Sequence, residues 1–152
     1  MSQPKQFCTF YLDGLFFGVE VLQVQEVLRA QPMTRVPLAA ATVRGLINLR
    51  GQIVTALDLR RRLELADRAA EVPPMNVIVR TSDGAVSLLV DDIGDVVEIQ
   101  EDTFERPPET LQGIARELVQ GVYQVNEKLL LVLDTERAVN LSGSTAGVEP
   151  NN

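Results

Sequence analysis

Two landmarks return along this chain at nearly constant spacing, and together they limit what it can fold into. Asp13-Gly14 comes back as Asp83-Gly84, an offset of 70 residues, each pair standing between two short apolar runs. Those runs are Phe7 to Leu12 and Leu15 to Val19 in the first copy, and Asn76 to Arg80 and Ala85 to Val90 in the second. An Asp-Gly pair so placed is a strong short-range hairpin signal. Glu26-Val27 falls near Asp95-Val96, an offset of 69. Gly45 and Asp58 are 13 residues apart, as are Gly121 and Asp134, and each interval reads strand, tight turn, strand, ending Ala-Leu-Asp or Val-Leu-Asp. The turns fall at Arg50-Gly51, where glycine supplies positive φ, and at Asn126-Glu127. Each copy thus provides about four strands, and a set of short strands hides its edges by curling into a small barrel. The repeat predicts an all-β chain of two small barrels packed together, in preference to one long sandwich.

Between the hairpins the pattern changes. Val21, Val24, Val27 and Leu28 are spaced as a helical stripe, which predicts a short helix or helical turn over residues 20–28. Pro32 and Pro37 bracket an extended or looped connector. Leu59 to Leu65 and residues 109–119 are compatible with helix, the latter with Leu111, Ile114, Ala115 and Leu118 on one stripe. A polar linker runs from about Ala66 to Pro74, and the tail after Val139 reads as flexible.

Composition narrows the chemistry. Among 152 residues there is no histidine, which removes the commonest general base and neutral metal ligand, and a single cysteine, Cys8, which cannot form an internal disulfide. Trp is absent and there are five Phe and two Tyr, so the core is expected to be Val, Leu, Ile and a few Phe. Residues 1–71 carry nine Lys/Arg against seven Asp/Glu, whereas 72–152 carry five against fourteen. An acidic second half repels a nucleic-acid backbone and favours protein partners. A nucleic-acid-binding barrel would need exposed aromatics on a basic groove, and the aromatics here sit in apolar runs. No apolar run is long enough to span a membrane, and the first residues lack the layout of an export signal, so no direct membrane insertion is expected.

No glycine-rich phosphate loop, nucleophilic triad or selected carboxylate pair is present, and the expectation is a binding protein, not an enzyme, with no cofactor and no metal. The acidic set Asp91, Asp92, Asp95 and Glu98 lacks the spacing of a calcium loop and reads as a solvated face. Arg60-Arg61-Arg62 reads as the solvent side of a short helix. Arg50 is the sharpest candidate: a tight turn presents its guanidinium at a fixed place, either to a partner or to a carboxylate such as Glu26. The plain alternative is a solvated turn arginine. Gly45, Gly51 and Gly121 read as backbone glycines needed for conformation or close approach.

The block Gly45-Leu-Ile-Asn-Leu-Arg-Gly-Gln-Ile-Val-Thr-Ala-Leu-Asp-Leu59 resembles the hallmark of the CheW-like family, the adaptors of bacterial chemotaxis. The resemblance extends through Gly18 to Val21, Val24-Gln25-Glu26-Val27, Val90-Asp91-Asp92-Ile93 with Val96, and Gly121 with Leu131-Val132-Leu133-Asp134. It covers about residues 5–140. Thr55-Ala56 departs from the proline many members carry there, as Ala39-Ala40 does in the connector. The resemblance implies two intertwined, SH3-like five-stranded β-barrels with short helices in one domain, 5–140. The first barrel would be mainly 5–65 and the second mainly 75–135, with 134–140 packing back and 141–152 a flexible tail. It implies a cytoplasmic adaptor, recruited to membrane-associated arrays, that joins the cytoplasmic tip of a methyl-accepting chemoreceptor to a histidine kinase regulatory domain. The same role in a non-flagellar pathway such as surface motility or development is the alternative. On this sequence the receptor-facing residues implied are Glu26, Val27, Gly45, Asn48, Arg50 and Gly51, with Arg50 and Glu26 paired. The kinase-binding surface is implied only loosely, on exposed strands and turns of the first barrel with a contact from the second.

Overall fold

The computed structural model describes residues 4–67, 72–100, 104–107 and 112–140. The expected flexible tail, 141–152, lies outside them, as do parts of the linker and of the stretch before residue 112.

Four hairpins dominate. β1 (Pro4–Leu12) and β2 (Leu15–Glu20) turn through Asp13-Gly14, and β4 (Val43–Leu49) and β5 (Gln52–Asp58) through Arg50-Gly51. β6 (Met75–Thr81) and β7 (Gly84–Val90) turn through Ser82-Asp83, one residue earlier than the repeat suggested, with Gly84 at φ 105 opening the return strand. β11 (Val119–Val125) and β12 (Lys128–Leu133) turn through Asn126-Glu127. Shorter strands complete the set: β3 (Val24–Leu28), β8 (Asp92–Ile93), β9 (Val97–Gln100) and β10 (Phe104–Glu105).

The strands fall into two sheets, and the sharing is not contiguous. One sheet runs β3-β6-β7-β5-β4; the other runs β10-β11-β12-β2-β1-β8, with β9 also on β1. The first hairpin of the chain therefore sits beside the last, through a parallel β2–β12 pairing, Leu131 against Phe17. Correspondingly, β7 of the second copy lies parallel to β5 of the first, from Thr55 against Val86 to Asp58 against Leu89. Each copy lends its opening hairpin to the other. A division at 5–65 and 75–135 does not describe this pairing; one sheet takes 24–58 with 75–90, and the other takes 4–20 with 92–133. The reason is that each second hairpin offers its return strand as an edge, and the hairpin that completes it comes from the other copy.

Neither sheet closes into a hydrogen-bonded ring among the described residues, but both curl towards one. In the five-stranded sheet, the Thr34 amide donates to the Leu46 carbonyl at 2.9 Å and the Leu46 amide returns to Thr34 at 2.8 Å. That lays the chain after edge strand β3 against the opposite edge, β4. In the other sheet, β9 and β10 are neighbours in sequence yet pair at opposite ends of the strand order, on β1 and β11. Among the described residues this sheet has seven strands where five were expected, two of them only two residues long.

The core has three compartments. Phe10, Leu12, Phe17 and Val19 meet Leu57, Leu59, Val77 and Leu88 with Leu118, Leu131 and Leu133 between the sheets. Ile47, Leu49, Val54, Ala56, Ile78 and Leu89 fill the five-stranded sheet. Phe7, Ile99, Tyr123, Leu130 and Val132 fill the other. The expected aliphatic core with a few Phe is what packs these spaces.

Among the described residues there are three short α-helices. α1 (Leu59–Arg62) and α3 (Thr135–Val139) follow the two repeated Leu-Asp endings, and α2 (Gly113–Leu118) precedes β11. Asp58 accepts a hydrogen bond from the Arg61 amide at 3.3 Å, and Asp134 accepts one from the Arg137 amide at 3.1 Å. The repeated aspartates are thus N-caps, satisfying amides that a helix start leaves without partners.

The segment expected to be helical, 20–28, is a single 3-10 turn (Val21–Gln23) followed by β3. β3 carries an irregularity between Val24 and Glu26 against β6. A bulge of this kind breaks the two-residue alternation, which is why the spacing imitated a helix.

Candidate functional site

The β4–β5 turn builds the most defined polar feature on the five-stranded sheet. Leu49 pairs with Gln52, so the loop is two residues long, and both have positive φ, 52 at Arg50 and 89 at Gly51. Such primed turns match the right-handed twist of the strands they join. The Asn48 side-chain oxygen accepts the Gly51 amide at 2.8 Å, bracing the turn from within. A Cβ on Gly51 would meet nothing within 4 Å, so the glycine is there for its φ and not for space.

From that turn the Arg50 guanidinium donates to the Glu26 carboxylate on β3. β3 and β4 are the two edges of this sheet, so the ion pair bridges the edges as the Thr34–Leu46 bridge does. Arg50 remains 67% exposed while Glu26 is 22% exposed. The Arg50 hydrogen bond holds the Glu26 carboxyl below the ordinary glutamate range, against a smaller opposing effect of desolvation. The guanidinium has five N–H donors, and the hydrogen bond to Glu26 uses one terminal nitrogen.

The other sequence-derived residues separate. Gly45 is buried: a Cβ there would lie 2.7 Å from the Thr34 carbonyl oxygen and 3.2 Å from the Met33 Cβ. It shapes the surface by letting the connector close on β4, and it presents nothing to a partner itself. Val27 is 37% exposed but follows Glu26 on the strand, so it faces the opposite side of β3. Glu26 is borne by a strand and not by a helix, contrary to the expectation for residues 20–28. Ile53 was not singled out by sequence, yet it is 60% exposed and stands directly across from Asn48. Nothing in the sequence marked it, because Ile53 and Val54 are both aliphatic and only the structure shows which one is outward.

The three consecutive arginines do not share a solvent face. Arg60 makes two hydrogen bonds to Asp91, from Nε at 2.8 Å and from a terminal nitrogen at 2.5 Å. Asp91 also accepts the Asp13 amide at 2.8 Å, which ties the β1–β2 turn to α1. Arg61 is exposed and pairs with Asp67 at 3.2 Å. Arg62 is buried and donates to the carbonyls of Ala138 at 2.7 Å and Arg137 at 2.8 Å, capping the end of α3. Successive helical residues point about 100° apart, so a run of like residues on a helix cannot form one face. Asp92, Asp95 and Glu98 are exposed as expected, whereas Asp91 is engaged. Among the described residues no group of three or more Cys, Asp or Glu is placed to hold a metal ion.

Comparison with known proteins agrees over nearly the whole length. The CheW-like domain family matches residues 6–142. A chemotaxis protein CheW of Treponema pallidum is 28% identical over 140 residues, covering 90% of this chain and 82% of that protein. One from Bacillus subtilis is 27% identical over 144 residues, covering 95% and 92%. The crystal structure of the scaffolding protein TtCheW from Thermoanaerobacter tengcongensis superposes with a TM-score of 0.84 at 26% identity, covering 93% of this chain and 96% of that one.

Proposed function

The chain belongs to the CheW-like domain family, and on that premise we propose that it is a chemotaxis adaptor. It couples the cytoplasmic tips of methyl-accepting chemoreceptors to the regulatory domain of a histidine kinase and supports assembly of the signalling array. The observation that carries this reading is the Arg50–Glu26 pair. A braced turn sets the guanidinium on the rim of the five-stranded sheet, a carboxylate fixes its direction, and the side chain stays largely exposed. A rigid, pre-aimed arginine loses little freedom on binding, which favours a specific contact over a diffuse one.

The receptor-facing surface in this proposal is Glu26, Asn48, Arg50 and Gly51, with Gly45 shaping it from below and Val27 on the flank. Ile53, exposed beside Asn48, extends it with an apolar contact. The kinase regulatory domain binds exposed strands and turns elsewhere on the same sheet, with an opposed contact from the second. The protein works in the cytoplasm and reaches the membrane through its receptors; among the described residues no helix is long and apolar enough to cross one.

The test is reconstitution with receptor signalling fragments and kinase. Arg50→Ala is expected to keep its fold and lose roughly tenfold or more in co-sedimentation with the receptor fragments, the scale of a central interface arginine. Parent-like binding and kinase activation by the folded Arg50→Ala protein overturns the assignment.

A further inference from the structure

The connector between β3 and β4 contains a conformation that its own residues do not favour. The Ala39 amide donates to the Val36 carbonyl at 3.3 Å, closing a turn with Pro37 and Leu38 at its centre. Leu38 has φ 65. Positive φ at the position after a turn proline belongs to glycine or asparagine, and a leucine there is strained. The same side chain is fully exposed, at 104% of its reference area. Strain and full exposure coincide on one large apolar group.

Leu38 stands on the wall of a groove of about 890 Å³ between the connector, β4 and α1. Three arginines line it, Arg35, Arg44 and Arg61, and none of the lining residues is acidic. Arg44 is paired with Asp58 at 3.0 Å and Arg61 with Asp67 at 3.2 Å. Arg35 is exposed and makes no hydrogen bond or ion pair with the described residues. The Thr34–Leu46 bridge ties the connector to β4 next to the lining residues Met33 and Arg35. The groove's position near the start of β4 places it roughly 20 Å along the strand from Arg50.

We propose that this groove is a docking surface separate from the receptor contact at Arg50, and that its occupant is an acidic segment of a partner protein with an apolar side chain to set against Leu38 and Val36. Arg44 and Arg61 already hold carboxylates of this chain, so the selecting charge is that of Arg35, which makes no bond with the described residues, and the strained turn holds the apolar anchor outward before binding. The surface does not depend on the receptor contact at Arg50.

The probe is a phage-displayed library of random dodecapeptides, selected on the folded full chain with a Leu38→Gly/Arg35→Glu variant as soluble competitor. Enriched peptides are expected to carry carboxylates next to Leu, Ile or Phe. Synthesised with a fluorophore and measured by anisotropy, they should bind the parent and weaken by roughly tenfold with either Leu38→Gly or Arg35→Glu alone. Added salt should weaken them too. Leu38→Gly removes the strain, so its Tm should equal or exceed the parent's, and Leu38→Asn gives a second variant suited to positive φ. Failure to enrich peptides, enrichment of neutral or basic ones, or indifference of binding to both substitutions overturns the proposal. So does a parent dimer in sedimentation that Leu38→Gly dissociates, which assigns the groove to a second copy of the chain.

Discussion

The β4–β5 and β11–β12 hairpins are copies of one design put to different uses. Both have a register irregularity at a glycine, between Val43 and Gly45 in one and between Val119 and Gly121 in the other. Both turn through two residues with positive φ, and both end on an aspartate that caps the following helix. They differ at the turn. The second uses Asn126-Glu127, and asparagine is among the residues that enter positive φ most readily. The first puts an arginine at φ 52, braces it with Asn48 and pairs it across the sheet with Glu26. The backbone requirement is common to both turns; the arginine serves something else.

The capped ends differ as well. Asp58 is nearly fully buried and also receives a guanidinium hydrogen bond from Arg44 at 3.0 Å, while Asp134 is partly exposed. The first hairpin is thus more heavily tied at both ends, and the comparison can be broken at four points.

The largest effect is expected at Gly45. Gly45→Val forces a branched side chain against the Thr34 carbonyl and separates the connector from β4, with a loss of about 3 kcal/mol or more in denaturant unfolding. The two caps come next. Asp58→Ala should cost about 2–3 kcal/mol, combining the lost cap with the Arg44 bond, against about 1 kcal/mol for Asp134→Ala. Equal losses in paired urea titrations would mean that burial does not distinguish the two copies.

Arg50→Asn gives the first turn the chemistry of the second. Stability should change by no more than about 0.5 kcal/mol, since asparagine suits the backbone, while receptor co-sedimentation falls as for Arg50→Ala. A variant that keeps binding would reduce Arg50 to a turn residue. The smallest effect is a titration. The folded Glu26 carboxyl is held below its unfolded value of about 4.3, so its contribution is complete above that pH and is lost as pH falls through the folded value. Carboxyl NMR should show the Glu26 midpoint rising in Arg50→Ala, and an unmoved midpoint would deny that Arg50 sets it.

What could be read from the residues was local. Asp13-Gly14, Arg50-Gly51 and Asn126-Glu127 each marked a two-residue turn, because turn chemistry is decided by adjacent residues. The Arg50–Glu26 pair was nameable for the same reason on one side only; the turn fixed where Arg50 points, but Glu26 was placed on a helix. A bulge on an edge strand hides its period from any window of sequence. Arg60 and Arg62 were misread because their partners, Asp91 and the Ala138 carbonyl, are 31 and 76 residues away. The exchange of hairpins between copies was equally hidden from the residue pattern, since the two hairpins of either copy look complete by themselves; only the family resemblance implied intertwined barrels.

That exchange has a consequence for how the chain is made. β3 to β7 are all available once residue 90 has left the ribosome, so the five-stranded sheet is free to assemble early. β2 must wait for β12, and Leu131 is synthesised 114 residues after its partner Phe17. At cellular rates of translation that is a delay of roughly 6–23 s. Throughout it the β1–β2 hairpin carries Phe10, Leu12 and Phe17 with an unclaimed edge. The opening hairpin therefore spends that interval as a stretch of nascent protein open to a chaperone or to mispairing.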